Sequence, residues 1–197
     1  MALLAEEIVE EWLNRQGYFT IRGIKLGVHE IDLLAVRHHA AGPPECRHLE
    51  VQASIRPISY ISHVPKQSQL SGRPANSAKR SDSELVEGVT EWVQKKFRHP
   101  RKLAVMDMLC SGCWSSELVI NNVKSQDEIN LLRSHGITIL HLRDIIQALA
   151  ERNFPLQSAA GSDFVELIHL GASDPKGGDG AAQRPVLKHR SAAAGEP

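Results

Sequence analysis

The residues best suited to chemistry lie early in the chain. Asp32 sits in the run Glu30-Ile-Asp-Leu-Leu-Ala-Val, and Glu50 and Gln52 sit in His48-Leu-Glu-Val-Gln-Ala. Strand residues two apart point to one side, so Glu50 and Gln52 share a face while Leu49, Val51 and Ala53 look toward a core. Beyond Asp32 the run is apolar on both faces, the pattern of a central strand covered on both sides. A lone carboxylate there would cost several kcal/mol or have its pKa driven up, so Asp32 needs a cation, a donor network or both. On neighbouring strands, Asp32 and Glu50 could converge on one hard cation, Mg²⁺ or Mn²⁺, with the Val51 carbonyl as a further oxygen ligand. The alternative is a pair of buried ion pairs to arginines such as Arg22 or Arg47. Among the histidines nearby, His29, His38, His39 and His48 have no metal-ligand spacing on one element, so they read as exposed or turn residues.

Positioning these side chains requires a specific order of elements. From Leu3 to Gln16 the apolar residues Leu4, Ala5, Ile8, Val9, Trp12 and Leu13 form one helical arc, stopped by Gly17. Tyr18–Lys25 and Glu30–Arg37 read as a hairpin, and Cys46–Ser54 as a third strand after the breaker Ala40-Ala-Gly-Pro-Pro. Ile55–Ser81 is expected to be a long loop with at most a short helix. Ser81 and Glu84 predict a capping box for a helix to about Phe97. Lys102–Leu109 and Glu117–Val123 then read as strands, followed by a helix over Ser125–His135, a strand over Ile137–Leu140 and a helix to about Arg152. The class is α/β, with an αβββαβ opening in a mixed sheet flanked by helices.

That order, with a helix bearing an early Glu, a hairpin ending in E-I-D-L-L-A and a strand bearing E-V-Q, resembles the PD-(D/E)XK nuclease superfamily, including its restriction endonuclease-like and Holliday junction resolvase-like members. The resemblance covers about residues 1 to 110. It implies a restriction endonuclease-like core and metal-dependent hydrolysis of phosphodiesters in nucleic acid, DNA foremost. It further implies that Asp32 and Glu50 hold the metal, that Gln52 occupies the lysine position, and that Glu6 is an accessory acid. Ile31 stands where the motif has proline. An amide can orient water by hydrogen bonds but cannot carry charge, so Lys66 or Lys79 is a candidate to supply it. The same departure makes a nuclease-fold protein that binds nucleic acid or a partner protein without cutting the competing reading. Glu6, beside Glu7, Glu10 and Glu11, also fits a solvated helix face. Resolvase-like relatives often dimerise, which makes a homodimer a further expectation.

Bulk properties narrow the setting. The 197 residues, 42% of them hydrophobic, suffice for one full core. We divide them into an α/β domain over 1–155, a short helical extension over 156–171 and a Gly-, Ala- and Pro-rich tail over 172–197 expected to be disordered. The formal net charge is zero, so contact with nucleic acid must come from local patches. One such patch is the loop bearing Arg56, Lys66, Arg73, Lys79 and Arg80 with no acid between Ala53 and Ser81; Tyr60 offers a stacking surface. Lys95, Lys96, Arg98, Arg101 and Lys102 form a second. The sequence contains three cysteines, and Cys110-Ser-Gly-Cys113 with only Cys46 besides is read as an ordinary turn with inert thiols rather than a zinc or redox site. The acidic opening lacks a secretory pattern and no apolar run is long enough for a membrane span, so an intracellular, cytoplasmic and membrane-free protein is expected.

Overall fold

The computed structural model describes residues 2–112, 114–151, 154–156 and 162–172. Helix α1 (Ala2–Arg15) buries Ala5, Val9 and Leu13, which recur every four residues on one face. Strands β1 (Phe19–Leu26), β2 (His29–Arg37) and β3 (Glu45–Gln52) follow as an antiparallel meander. Strand β4 (Trp114–Ile120) pairs parallel with β3, and β5 (Thr138–His141) parallel with β4. The mixed sheet therefore runs β1-β2-β3-β4-β5 in space as in sequence, and helices flank it.

Alternation along the strands sends Leu33, Ala35, Leu49, Val51 and Val119 to one face. There they meet Ala5, Val9 and Leu13 of α1, Ile145 and Leu149 of α6 (Leu142–Ala150) and Val165 of α7 (Ser162–Ala172). The expected extension thus joins the core of the preceding domain. Leu118 and Ile120 face the other side, against Leu85, Val89, Val93 and Phe97 at the end of α3 (Asp82–Lys96), and Ile129 and Leu132 of α5 (Gln126–Ser134). Ile31 and Leu34 pack with Met106 of α4 (Pro100–Leu109). Among the described residues no helix is long and apolar enough to cross a membrane. The expected tail from 173 onward lies outside the described residues.

One element was misassigned from sequence. Lys102–Leu109, expected as a strand, lies within α4. Pro100 occupies the first turn, where its missing N–H costs nothing, and the residues buried in that helix, Lys102 and Met106, are four apart. A short apolar run such as Leu-Ala-Val-Met does not by its period separate strand from helix. Elsewhere the expected elements form within a few residues, including the reciprocal capping box of Ser81 and Glu84.

The long loop after β3 is anchored at both ends of its middle section. Its short helix α2 (Lys66–Leu70) follows a turn held by Glu128, whose buried carboxylate accepts from the Ile61 N–H at 2.7 Å, the Ser62 N–H at 2.9 Å and the Ser62 hydroxyl at 2.6 Å. Helix α3 approaches this turn so closely that a Cβ on Gly88 would stand 2.5 Å from the His63 carbonyl oxygen. Only glycine fits that contact without movement.

Candidate active site

The β2–β3 ladder ends at the pair Leu33–Leu49. One step further, Asp32 stands opposite Glu50, and its Oδ2 accepts from the Val51 N–H at 2.8 Å. A side chain thus takes the bond that a backbone carbonyl of β2 would otherwise accept. Because a strand residue turns its N–H and C=O toward the same neighbour, the Val51 carbonyl faces this side too. Opposite Asp32 on the outer strand lies Gly23, in the left-handed region at φ +67, so the β1–β2 ladder is interrupted at the same level.

Glu50 is wholly buried. Its Oε1 accepts from Lys102 Nζ at 2.6 Å and lies 3.1 Å from His48 Nε2, while Oε2 accepts from Lys96 Nζ at 2.5 Å. Lys96 Nζ is also 3.8 Å from Asp32 Oδ1. One ammonium therefore sits between the two carboxylates. Lys102 donates a further bond of 2.8 Å to the Lys96 carbonyl, tying α4 to the last turn of α3. Phe97 packs on the His48 ring, with centroids 4.9 Å apart.

Burial and neighbouring charge separate the two acids. Burial, reinforced by the Glu50 charge, pushes Asp32 up to about 7 despite Lys96 and the Val51 N–H. Burial acts the same way on Glu50, but the His48 hydrogen bond and both lysines overcome it and hold the group at about 2. Lys96 loses to burial but gains more from Glu50 and Asp32, so its pKa rises. In Lys102 burial wins and the pKa falls. His48 is lowered by burial, which outweighs its contact with Glu50. Glu6 on α1 is raised by burial and by the Glu30 charge, and it feels Lys96 and Glu50 as well. Glu6, Glu30, Asp32, Glu50 and Lys96 thus form one electrostatic group. Gln52 ends β3 on the Glu50 face, in register with Ile120.

Several expectations are corrected here. The arginines offered as alternative partners serve other acids: Arg22 lies 3.3 Å from both Glu7 and Glu10. Arg47 donates to Glu117 at 2.8 Å through Nε and stacks against Trp12 and Tyr18. The charge beside the carboxylates comes from Lys96, not from Lys66 or Lys79. The second basic cluster accordingly divides, since Lys96 and Lys102 point inward at Glu50. His48 is buried, not exposed. The signal for Lys96 was its position: it continues the stripe of Val89 and Val93 beside Phe97, where a charge must have a partner.

The basic loop also divides. Arg73 pairs with Glu84 at 3.0 Å. Arg80 donates to the Ser62 carbonyl at 2.7 Å and covers the Tyr60 ring, so both tie the loop down. Arg56, Lys66 and Lys79 remain exposed. Burial and the nearby Cys110 thiol push the Cys46 thiol up to about 12, far from a reactive thiolate; Cys113 lies outside the described residues.

The donor set suits a hard cation. Glu50 Oε2 and Asp32 Oδ1 both face the Lys96 ammonium, which occupies the cationic position between them and keeps partial solvent access. Among the described residues no three His, Cys, Asp or Glu side chains gather around one point. A metal here would draw on two carboxylates, the Val51 carbonyl and water, a set that matches Mg²⁺ or Mn²⁺ better than Zn²⁺.

No family model matches the chain, and no curated protein does. Among solved structures, a crystal structure of a protein of unknown function, AF1548, aligns with 85% of this chain and 78% of its own at 9% identity and a TM-score of 0.41.

Proposed function

We propose that this chain is a metal-dependent nuclease with a restriction endonuclease-like core of the PD-(D/E)XK type, hydrolysing phosphodiesters in nucleic acid, DNA foremost. The observation that carries the reading is the pair Asp32 and Glu50, brought from adjacent strands to face a single cationic position. Asp32, Glu50 and the Val51 carbonyl would hold Mg²⁺ or Mn²⁺. When bound, the metal supplies Lewis acidity to the phosphate and lowers the pKa of its water. Gln52 orients the attacking water by hydrogen bonding. Lys96, displaced from between the carboxylates, offers its ammonium to the charge that develops on the phosphorane, the service that Gln52 cannot perform. Lys102 stays on Glu50 Oε1 and keeps that carboxylate ionised. Glu6, whose pKa is raised, is a better proton acceptor than an exposed carboxylate.

A labelled duplex, a branched junction and a single strand, each incubated with Mg²⁺, Mn²⁺ or EDTA, test the reading. Cleavage should require the metal, vanish in Glu50→Gln and fall at least a hundredfold in Lys96→Met. No cleavage of any substrate by the wild type, or cleavage surviving Glu50→Gln, refutes it. The two lysines that already neutralise Glu50 favour a second reading, a nuclease-fold protein that binds without cutting. Retained binding with no cleavage in either metal would select it.

A further inference from the structure

Beyond the carboxylate centre, the same edge of the sheet carries a cleft of about 310 Å³ lined by Asn121, Asn122, Gln126, Arg133, His141 and Arg143. It lies where β4 and β5 end and α5 and α6 begin, outside the carboxyl ends of the parallel strands. Arg133 and Arg143 bring two guanidinium groups, whose planar donors match phosphate oxygens. Asp144, also in the lining, leaves a net charge of +1. The first turn of α6 adds donors: its N-cap, His141, makes no side-chain capping bond, so no such bond competes for those N–H groups.

The cleft is joined to the candidate active site through the chain itself. Asn121 Nδ2 donates to the Ser54 carbonyl and Asn122 Nδ2 to the Ile55 carbonyl, each at 3.0 Å. They fasten the segment that leaves Gln52 to the lip of the cleft. Asn122 does so from the left-handed region, at φ 36. Gln52, Ile120 and His141 are successive partners across β3, β4 and β5. Two strand spacings, about 10 Å, separate the first from the last. That is about three nucleotides of rise at 3.4 Å each.

We propose that this cleft seats a backbone phosphate of the bound nucleic-acid strand, about three nucleotides from the bond to be cut, with Arg133 and Arg143 sharing it. The inference rests on the nuclease reading for the identity of the strand and for the place of the bond to be cut. Ile120, Val123 and Ile129 form an apolar floor beneath polar, exposed walls, and this open shape suits a phosphodiester passing through rather than an enclosed nucleotide.

The test is equilibrium binding of a fluorescent 20-base-pair duplex, and of one of its strands, in EDTA between 50 and 200 mM salt. The proteins are the wild type, Arg133→Ala/Arg143→Ala and Arg133→Lys/Arg143→Lys, with melting temperature as a folding control. One lost phosphate should flatten the log–log salt slope of the alanine variant by about 0.9 on the duplex or about 0.7 on the single strand, and weaken duplex binding about eightfold at 0.1 M salt. The lysine variant should keep the wild-type slope. An unchanged slope in the alanine variant, or no binding of either polymer by the wild type, overturns the proposal. So does adenosine monophosphate binding that needs the arginines while polymer binding does not. Wild-type cleavage in Mg²⁺ is read separately. Cleavage with an unchanged slope removes the cleft but keeps the nuclease, and a flattened slope without cleavage does the reverse.

Discussion

Replacing Asp32 by Asn should stabilise the protein at pH 8 while abolishing the proposed metal-dependent cleavage. Asp32 ionises near 7 in the fold against an ordinary value of 3.8, so the folded chain keeps its proton over about three pH units in which the unfolded chain has released it. At 1.36 kcal/mol per pH unit the cost is about 4 kcal/mol. Below pH 3.8 both states are protonated and the cost is nil. Between 3.8 and 7 the folded state binds more protons, so stability falls as pH rises, and above 7 the full penalty persists. Asn is nearly isosteric, its carbonyl oxygen can still accept the Val51 N–H, and it has no charge to desolvate. The attraction between Asp32 and Lys96 is already contained in the value of 7 and so is not lost a second time. Glu50 does not confuse the readout. Its depressed value makes its contribution present above 4.5 and lost as pH falls toward 2, so it overlaps the window only at the acid end, where both proteins carry the same Glu50.

The assay is thermal unfolding of wild type and Asp32→Asn from pH 3.5 to 8.5 in EDTA, repeated with Mg²⁺. At about 2–4 °C per kcal/mol for a chain of this size, the variant should melt roughly 10 °C higher at pH 8 and equal the wild type near pH 4. Mg²⁺ should raise the wild-type midpoint at pH 8 through ligand linkage and leave the variant unmoved. A variant no more stable than the wild type at pH 8 would show that Asp32 is already compensated. A gain of equal size at pH 4 would trace it to amide packing rather than ionisation.

Lys102→Met should cost about 3–5 kcal/mol in urea unfolding, since it removes one of two ammoniums from the buried Glu50 and leaves the Lys96 carbonyl without its 2.8 Å donor. A loss below about 1 kcal/mol would mean that Lys96 alone satisfies Glu50. Glu128→Ala strips three donors at Ile61 and Ser62 of their shared acceptor and should destabilise by about 3 kcal/mol. It should also speed amide exchange at residues 61 and 62 before the sheet is affected, and unchanged exchange there would show that the anchor is redundant.

How far the sequence revealed this arrangement depends on which interactions are local. The period-two alternation of His48–Gln52 and the apolar run after Asp32 placed both acids on one face of neighbouring strands, because strand geometry fixes side-chain direction residue by residue. The helices α1 and α3 were equally legible, since Ala5, Val9 and Leu13, and Ser81 with Glu84, act within a turn or two. Partners were not legible. Arg47 faces Glu117, and Glu128 faces Ile61, across separations of 70 and 67 residues that no local pattern encodes.

The lysines show how one local misassignment spreads. Read as a strand, Lys102–Leu109 puts Lys102 at an exposed strand start and leaves Lys95–Lys102 as a uniform basic surface. As a helix beginning at Pro100, the same residues turn sharply after Phe97, and Lys102 falls four residues before Met106 on the buried face. A fully buried ammonium is tolerable only beside a carboxylate, and Glu50 is the one it reaches. The corner between α3 and α4 thereby delivers both cations to one acid, Lys96 from the end of one helix and Lys102 from the start of the next. Lys96 was within reach of a sequence reading because α3 was legible, whereas the second cation on Glu50, Lys102, depended on reading α4 as a helix.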